Sequence, residues 1–174
     1  MGTALATSIR SSGEVIASDE THRVVAHGDV IVAVYRELIP LRALELQRLY
    51  VRERLRESGP HRMGLLKLML PGVPPPDEIL RRAIASLHRE IGAAGAGAAL
   101  VHEGEGFVAA SIRAIATSIH LLNPQPFPLR VFSGVTEAAG WLAMVTEHDL
   151  GTLLRTVEDG RRALARPLVY GRAR

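Results

Sequence analysis

Apolar residues recur along this chain at two alternating spacings, one typical of strands and the other of helices. Strands are predicted for five short apolar runs, at 23–26, 30–35, 63–70, 98–102 and 129–132. Val15 and Ile16 are candidates for an additional edge strand. Helical spacing follows at Leu41–Arg56, from Asp77 to residue 91, at 106–122, from residue 135, and in the tail beyond residue 146. Strands that alternate with helices predict an α/β layer structure with right-handed crossovers.

One charged residue, Lys67, interrupts the most apolar of these strands. Because side chains alternate along a strand, Lys67 shares one face with Leu65 and Met69. A lysine on a fully covered sheet face would need a partner or would lose its charge. We therefore expect that face to be partly open to solvent. The resulting prediction is an α/β fold with a four- or five-stranded mixed sheet, helices mainly on one face, and a C-terminal helix.

The length of 174 residues indicates one domain with a sizeable core. Residues 1–13 are small and polar, and we expect them to form a flexible N-terminus. The α/β domain is predicted over residues 14–145. Residues 146–174 are predicted as a C-terminal helical extension, whose apolar stripe is weakened by Gly151 and Gly160.

Composition narrows the possible locations and partners. The sequence has no cysteine, which excludes disulfides and cysteine-ligated metals and fits a cytoplasmic location. No apolar run reaches the roughly 18 residues that a membrane span needs. The net charge of +3 is small and aromatic residues make up only 4% of the chain, so we predict no nucleic-acid partner.

Catalytic motifs are incomplete throughout the sequence. Residues 104–109 match G-x-G-x-x-A, a dinucleotide fingerprint, but Glu105 would place a carboxylate beside the pyrophosphate. The seven histidines include no pair at the i, i+4 spacing of a helical zinc site, and we expect most of them to be solvated. No G-x-S-x-G motif is present. The prediction is a non-enzyme without catalytic residues, metal or cofactor.

A candidate interaction or ligand site is expected at the carboxyl end of the sheet, where α/β proteins bind their ligands. Its candidate residues are Pro74, Asp77, His102, Glu103 and Glu105. The structural alternative is that Asp77 caps a helix and that His102 and Glu103 are two polar residues leaving a buried strand. The loop from Glu103 to Glu105 would also be the place for an unrecognised active site.

Two apolar sets have no obvious place inside a single small α/β layer. Their members are Leu46, Leu49 and Tyr50 on the first helix, and Leu150, Leu153 and Leu154 in the tail. Exposed apolar patches mark interfaces, so the prediction is a homodimer formed through these helical surfaces. The alternative is that the tail folds back and covers the first helix.

The order of elements, Lys67, and the closing segment Arg130-Val131-Phe132-Ser133 followed by Ala138 and Trp141-Leu142 together resemble the STAS-like group. This is the fold of bacterial anti-sigma-factor antagonists, related in shape to CRAL-TRIO lipid carriers. The resemblance implies a non-catalytic regulatory domain that binds a partner protein in signalling. The alternatives are a carrier or sensor of a small apolar ligand or lipid, and an enzyme with an unrecognised active site.

The chain departs from that group at the loop after the central strand. The resemblance implies a phosphorylatable serine there, but residues 70–77 contain neither Ser nor Thr. Asp77 supplies a permanent negative charge instead. We therefore expect that regulation does not run through phosphorylation of this loop.

Overall fold

The computed structural model describes residues 13–57, 59–104 and 126–165, which form one mixed β-sheet with helices on both faces. The strands are β1 (Glu14–Ser18), β2 (His22–His27), β3 (Val30–Tyr35), β4 (Met63–Met69), β5 (Gly95–His102) and β6 (Leu129–Phe132). The described helices are α1 (Leu41–Arg56), α2 (Glu78–Ile91), α3 (Val135–Thr146) and α4 (Leu150–Ala165). The expected helix at 106–122 and residues 1–12 of the expected flexible N-terminus lie outside the described residues.

The strands lie side by side in their order along the chain, from β1 to β6. The first three are antiparallel, and β3 to β6 are parallel. Gly28 has a φ of 57° in the turn between β2 and β3, a backbone conformation that glycine adopts without steric strain. This turn joins β2 and β3 as an antiparallel hairpin. Every residue of the central strands β3 and β4 is buried, as expected for strands covered on both faces.

Helices α1 and α2 cover one sheet face, called here the first face. Leu44 and Val51 of α1 pack there with Leu87 of α2 and with Ile31 and Leu65 of the central strands. Helices α3 and α4 cover the opposite, second face. There Leu142 and Val157 join the alternate residues of the same strands, among them Val32 and Leu66. Because side chains alternate along each strand, the same strands contribute residues to two separate cores, one on each face of the sheet.

The structure confirms the α/β class and the mixed sheet, but it corrects three expectations. The sheet has six strands rather than four or five. Among the described helices, two lie on each face rather than mainly on one. Lys67 is buried, with 6% of its surface exposed, and does not mark an open face. The second-face helices follow β6, where the chain crosses to that side of the sheet, whereas Lys67 is buried on the first face beside residues of α2 such as His88.

The close approach of α3 to the sheet depends on two glycines that are partners in register, Gly64 on β4 and Gly97 on β5. A Cβ on Gly97 would lie 2.6 Å from the Trp141 ring, and one on Gly64 would lie 2.6 Å from the methyl group of Thr146. A side chain at either position would therefore prevent α3 from lying this close to the sheet.

Most of the residues proposed for self-association make contacts within the chain instead. Leu46 and Tyr50 pack against the first-face core, and the Tyr50 hydroxyl donates to the Gly28 carbonyl at 2.8 Å. Leu153 is fully buried in the second-face core. Leu154 packs beside that core, whereas Leu49 and Leu150 remain exposed.

The tail therefore does fold back, but it covers β2 and β3 rather than the first helix. The expectation that these sets lack a place in the fold was wrong for Leu46 and Tyr50, which pack on the first face, and for Leu153 and Leu154, which lie on a second-face helix that had not been foreseen. The homodimer itself stays a prediction.

Candidate functional site

An apolar pocket lies on the first face, between α2 and strands β4 to β6. The loop of residues 70–77, which leads from β4 into α2, forms one side of it. Its lining consists of Ile39, Lys67, Met69, Val73, Pro74, Pro76, Leu80, Ile84, His88, Ala98, Ala99, Leu100 and Leu129. Eleven of these thirteen residues are apolar.

Lys67 is the one lysine of the chain, and its side chain lines this pocket. It stands in β4 between Ala33 of β3 and Leu100 of β5. Its Nζ is buried and has no hydrogen-bond partner among the described residues. Burial lowers the pKa of the Lys67 amine from 10.5 to about 8, because the charged form loses its hydration. Among the described residues, the Lys67 ammonium group therefore has no counter-ion where it faces the apolar cavity.

His88 on α2 is the other polar residue of the lining. It is 2% exposed, and its ring meets the edge of Phe127 at a centroid distance of 5.5 Å. The Nδ1 atom has no hydrogen-bond partner among the described residues. Burial, followed by the charge of Lys67, lowers the pKa of His88 to about 3. His88 is therefore a neutral imidazole at physiological pH, close enough to Lys67 to respond to its charge.

The pocket is small and partly open. The volume open to the centre of a water molecule is about 70 Å³. This is more space than one water molecule needs, so the pocket has room for a compact ligand group. Ile84, Leu100 and Leu129 are half-buried on its rim. An apolar pocket interior with a solvent-accessible rim suits a compact ligand that enters from solvent.

The structure brings some of the predicted site residues to this pocket and separates others. Pro74 lines it. Asp77 instead caps α2, and its carboxylate accepts a hydrogen bond from the backbone amide of Leu80 at 2.8 Å. His102 is buried beside the pocket, with Nε2 3.4 Å from the Val73 carbonyl oxygen.

Glu103 points to the other side of the molecule, where it pairs with Arg161 of α4. Glu105 lies outside the described residues. At the carboxyl end of the sheet, the loop of residues 70–77 and His102 therefore lie at the pocket. The two acidic residues described there have structural roles, since Asp77 caps α2 and Glu103 pairs with Arg161 of α4.

The histidine expectation needs correction. His22, His88 and His102 are buried rather than solvated. For His88 the signal was present in the sequence, since it lies four residues after Ile84 and three before Ile91 on the core stripe of α2. Because histidine is polar, His88 could equally be assigned to a solvated face of the helix, and its buried position was therefore missed.

A second, polar cleft lies at the opposite end of the parallel strands, around the β2–β3 turn. His27 and His148 stand there with ring centroids 6.2 Å apart, and Asp29 pairs with Arg54 and His61. Partial burial lowers the pKa of both His27 and His148. In the described part of the chain, no three His, Asp or Glu side chains are grouped to hold a metal ion.

The structure is similar to the crystal structure of an uncharacterized protein from the DUF3478 family with a SpoIIAA-like fold, from Shewanella loihica PV-4. The two chains are 12% identical, and the alignment covers 68% of this chain and 90% of that chain, with a TM-score of 0.45. A SpoIIAA-like fold is the STAS-like arrangement that the sequence resembles. At this identity the similarity carries no information about function.

No model of a protein family matches the sequence, and no curated protein matches it. None of the described helices has the length and apolar character needed to cross a membrane.

Proposed function

We propose that this chain is a non-catalytic binding domain that holds a small apolar ligand in the pocket between α2 and the sheet. The observation that carries the proposal is the pocket itself, whose lining is apolar apart from Lys67 and His88. Protein interiors are normally packed without voids larger than a water, so an apolar cavity of this size is a specific feature. Carrying or sensing such a ligand needs no chemical step.

The test is titration of the isotope-labelled full chain with small apolar compounds, followed by NMR. Aromatic and six-carbon aliphatic probes match the cavity volume. We expect saturable shifts of the backbone amides of Met69, Ala98 and Leu100, which line the pocket. Amides around the β2–β3 turn should not move.

A matched pair of variants on α2 assigns the binding to the pocket. Ile84→Trp places a large ring at the rim and should abolish the saturable shifts. Ile79→Trp is the control, because Ile79 is 65% exposed on the same helix and is not part of the lining. If no probe saturates, or if both variants bind equally, the proposal is wrong.

A second candidate function is docking onto a partner protein, as the STAS-like resemblance implies. Three large apolar side chains, Leu38, Leu41 and Ile79, are 44%, 51% and 65% exposed. Because α1 follows β3 and α2 follows β4, all three lie at the carboxyl end of the parallel strands. Clustered exposed apolar residues are typical of interaction surfaces.

This candidate is tested with the double variant Leu41→Ser and Ile79→Ser on an affinity-tagged full chain. A partner protein that binds the wild type should be lost from the double variant and kept by Met144→Ser. Met144 is a suitable control since it is 69% exposed but lies on α3, on the second face. If the wild type, the double variant and Met144→Ser recover equal amounts of the partner protein, docking at this end is contradicted.

A further inference from the structure

We propose that the pocket is selective for an acidic head group, and that Lys67 is the residue that binds it. The ligand class is a compact monocarboxylic acid with an aromatic or short aliphatic body. This inference rests on the proposed function, since it names the chemistry of the ligand that the pocket would hold.

The described lining of the pocket does not balance the charge of Lys67. Lys67 Nζ has no hydrogen-bond partner among the described residues, although nine-tenths of the side chain is buried. Buried polar groups are normally satisfied, and a buried charge is normally paired. None of the thirteen lining residues is acidic. A bound anion would supply the counter-charge that this part of the protein does not.

The groups that face Lys67 come from each neighbouring element. The strands on either side present Ala33 and Leu100. Helix α2 contributes His88, and the loop of residues 70–77 contributes Val73 and proline side chains. His88 is the only titratable group among them, and its pKa of about 3 keeps it uncharged. A neutral imidazole can donate one N–H to an anion without adding charge.

The groups at the pocket suit a carboxylate better than a phosphate. One ammonium and one neutral imidazole match the two oxygens and the single charge of a carboxylate. A phosphate monoester carries up to two charges and has three terminal oxygens, and phosphate sites normally use a helix N-terminus or several cations. The remaining eleven lining residues are apolar and fit a hydrocarbon body. The volume of about 70 Å³ limits that body to a compact group.

The experiment compares acids with alcohols of the same shape at pH 7. Benzoate is paired with benzyl alcohol, and hexanoate with 1-hexanol, and each dissociation constant is measured by NMR titration of the full chain. In the wild type, each acid is expected to bind at least about tenfold more tightly than its alcohol. Lys67→Met should remove this preference and leave the alcohols bound as before or better.

Two further variants control the comparison. Arg82→Met removes one positive charge from the exposed face of the same helix and should keep the preference for the acids, because Arg82 does not line the pocket. Lys67→Gln is a neutral polar replacement that should also lose the preference. The thermal unfolding of each variant verifies that it is folded.

The outcomes separate this inference from the function on which it rests. If acids and alcohols bind the wild type equally, head-group selectivity is refuted while ligand binding in the pocket stands. If the preference for acids survives in Lys67→Met and Lys67→Gln, the assignment to Lys67 is wrong. If neither class binds, both the proposed function and this inference fail.

Discussion

At the scale of single residues, the feature that distinguishes this molecule is a buried lysine beneath a helix, with no partner in the part of the chain that the structure describes. In most cores a position such as 67, flanked by Ala33 and Leu100, would be aliphatic. Keeping a cation there destabilises the empty protein, because burying a charged amine without a partner costs free energy. A ligand that pairs with Lys67 would recover part of that cost on binding.

The pKa of Lys67 predicts how stability depends on pH. The amine has a pKa of about 8 in the folded protein and 10.5 in its ordinary environment, so between these values the unfolded chain binds more protons. The free energy of unfolding should therefore rise from pH 8 to pH 10.5, by about 3 kcal/mol from this residue. Lys67→Met should be more stable than the wild type at pH 8, with a difference that shrinks toward pH 10.5. Urea unfolding at both pH values measures this, and an unchanged difference would contradict it.

His88 predicts a second dependence, in acid. Its pKa is about 3 when folded against an ordinary value of 6.5, so below pH 6.5 the unfolded chain takes up a proton that the folded one does not. The wild type should lose about 1.4 kcal/mol of stability for each pH unit below 6.5 from this residue alone. In His88→Leu that part of the loss should disappear. The check is the difference in unfolding free energy between the two proteins at pH 6.5 and pH 4.5; a constant difference would argue against a neutral buried His88.

At the scale of elements, the two sheet faces are covered in different ways. Helix α3 lies tightly on β4 and β5, because Gly64 and Gly97 leave room for Thr146 and Trp141. Helix α2 stands over the other face with a pocket beneath it, and the loop of residues 70–77 and the Asp77 cap fix where it begins. The same two central strands thus support a closed core on one side and a ligand-sized space on the other.

This arrangement predicts opposite effects for two glycine-to-alanine changes. Gly97→Ala places a methyl group against the rigid Trp141 ring and should lower stability by about 1–3 kcal/mol. Gly140→Ala lies within α3, where a new Cβ meets nothing within 4 Å, and should raise stability by roughly 0.5–1 kcal/mol. Chemical unfolding of both variants tests the pair. If Gly97→Ala is as stable as the wild type, the close packing of α3 described above is incorrect.

At the scale of the whole molecule, α4 is an integral layer. Leu153, Val157 and Leu164 are fully buried in the second-face core, and Gly160 allows α4 to lie against Val34 of β3. Arg161 adds a pair with Glu103 at the end of β5, and Arg36 donates to the Leu164 carbonyl at 2.8 Å.

A chain that ends at Glu147 should therefore be strongly destabilised. Removing α4 uncovers the second-face side of β3, and each lost leucine or valine contributes about 1.5–3 kcal/mol of burial. We expect this truncated chain to bind a hydrophobic dye and to lack a cooperative thermal transition. The full chain and an Arg162→Ala variant, which changes an exposed α4 side chain, should melt cooperatively. A stable, cooperatively folded truncation would show that α4 is an accessory element.

Part of the candidate site could be found from sequence. The rule that ligands bind at the carboxyl ends of parallel strands pointed to the loop with Pro74 and to His102, and both lie at or beside the pocket. Lys67 was recognised as anomalous, but its burial was missed. His88 was missed altogether, because helical periodicity does not distinguish a buried histidine from a solvated one.

The order and type of the described elements could be predicted from the sequence, since the two-residue and 3.6-residue periods are local properties of the chain. The strand Val30–Tyr35, the helix Leu41–Arg56 and the strand Leu129–Phe132 are examples. The position of α3 and α4 on the second face, the enclosure of Lys67 and the cavity beneath α2 became visible in the folded chain alone. Burial depends on contacts between segments far apart in sequence, so no local pattern around Lys67 records which helices cover each face of the sheet.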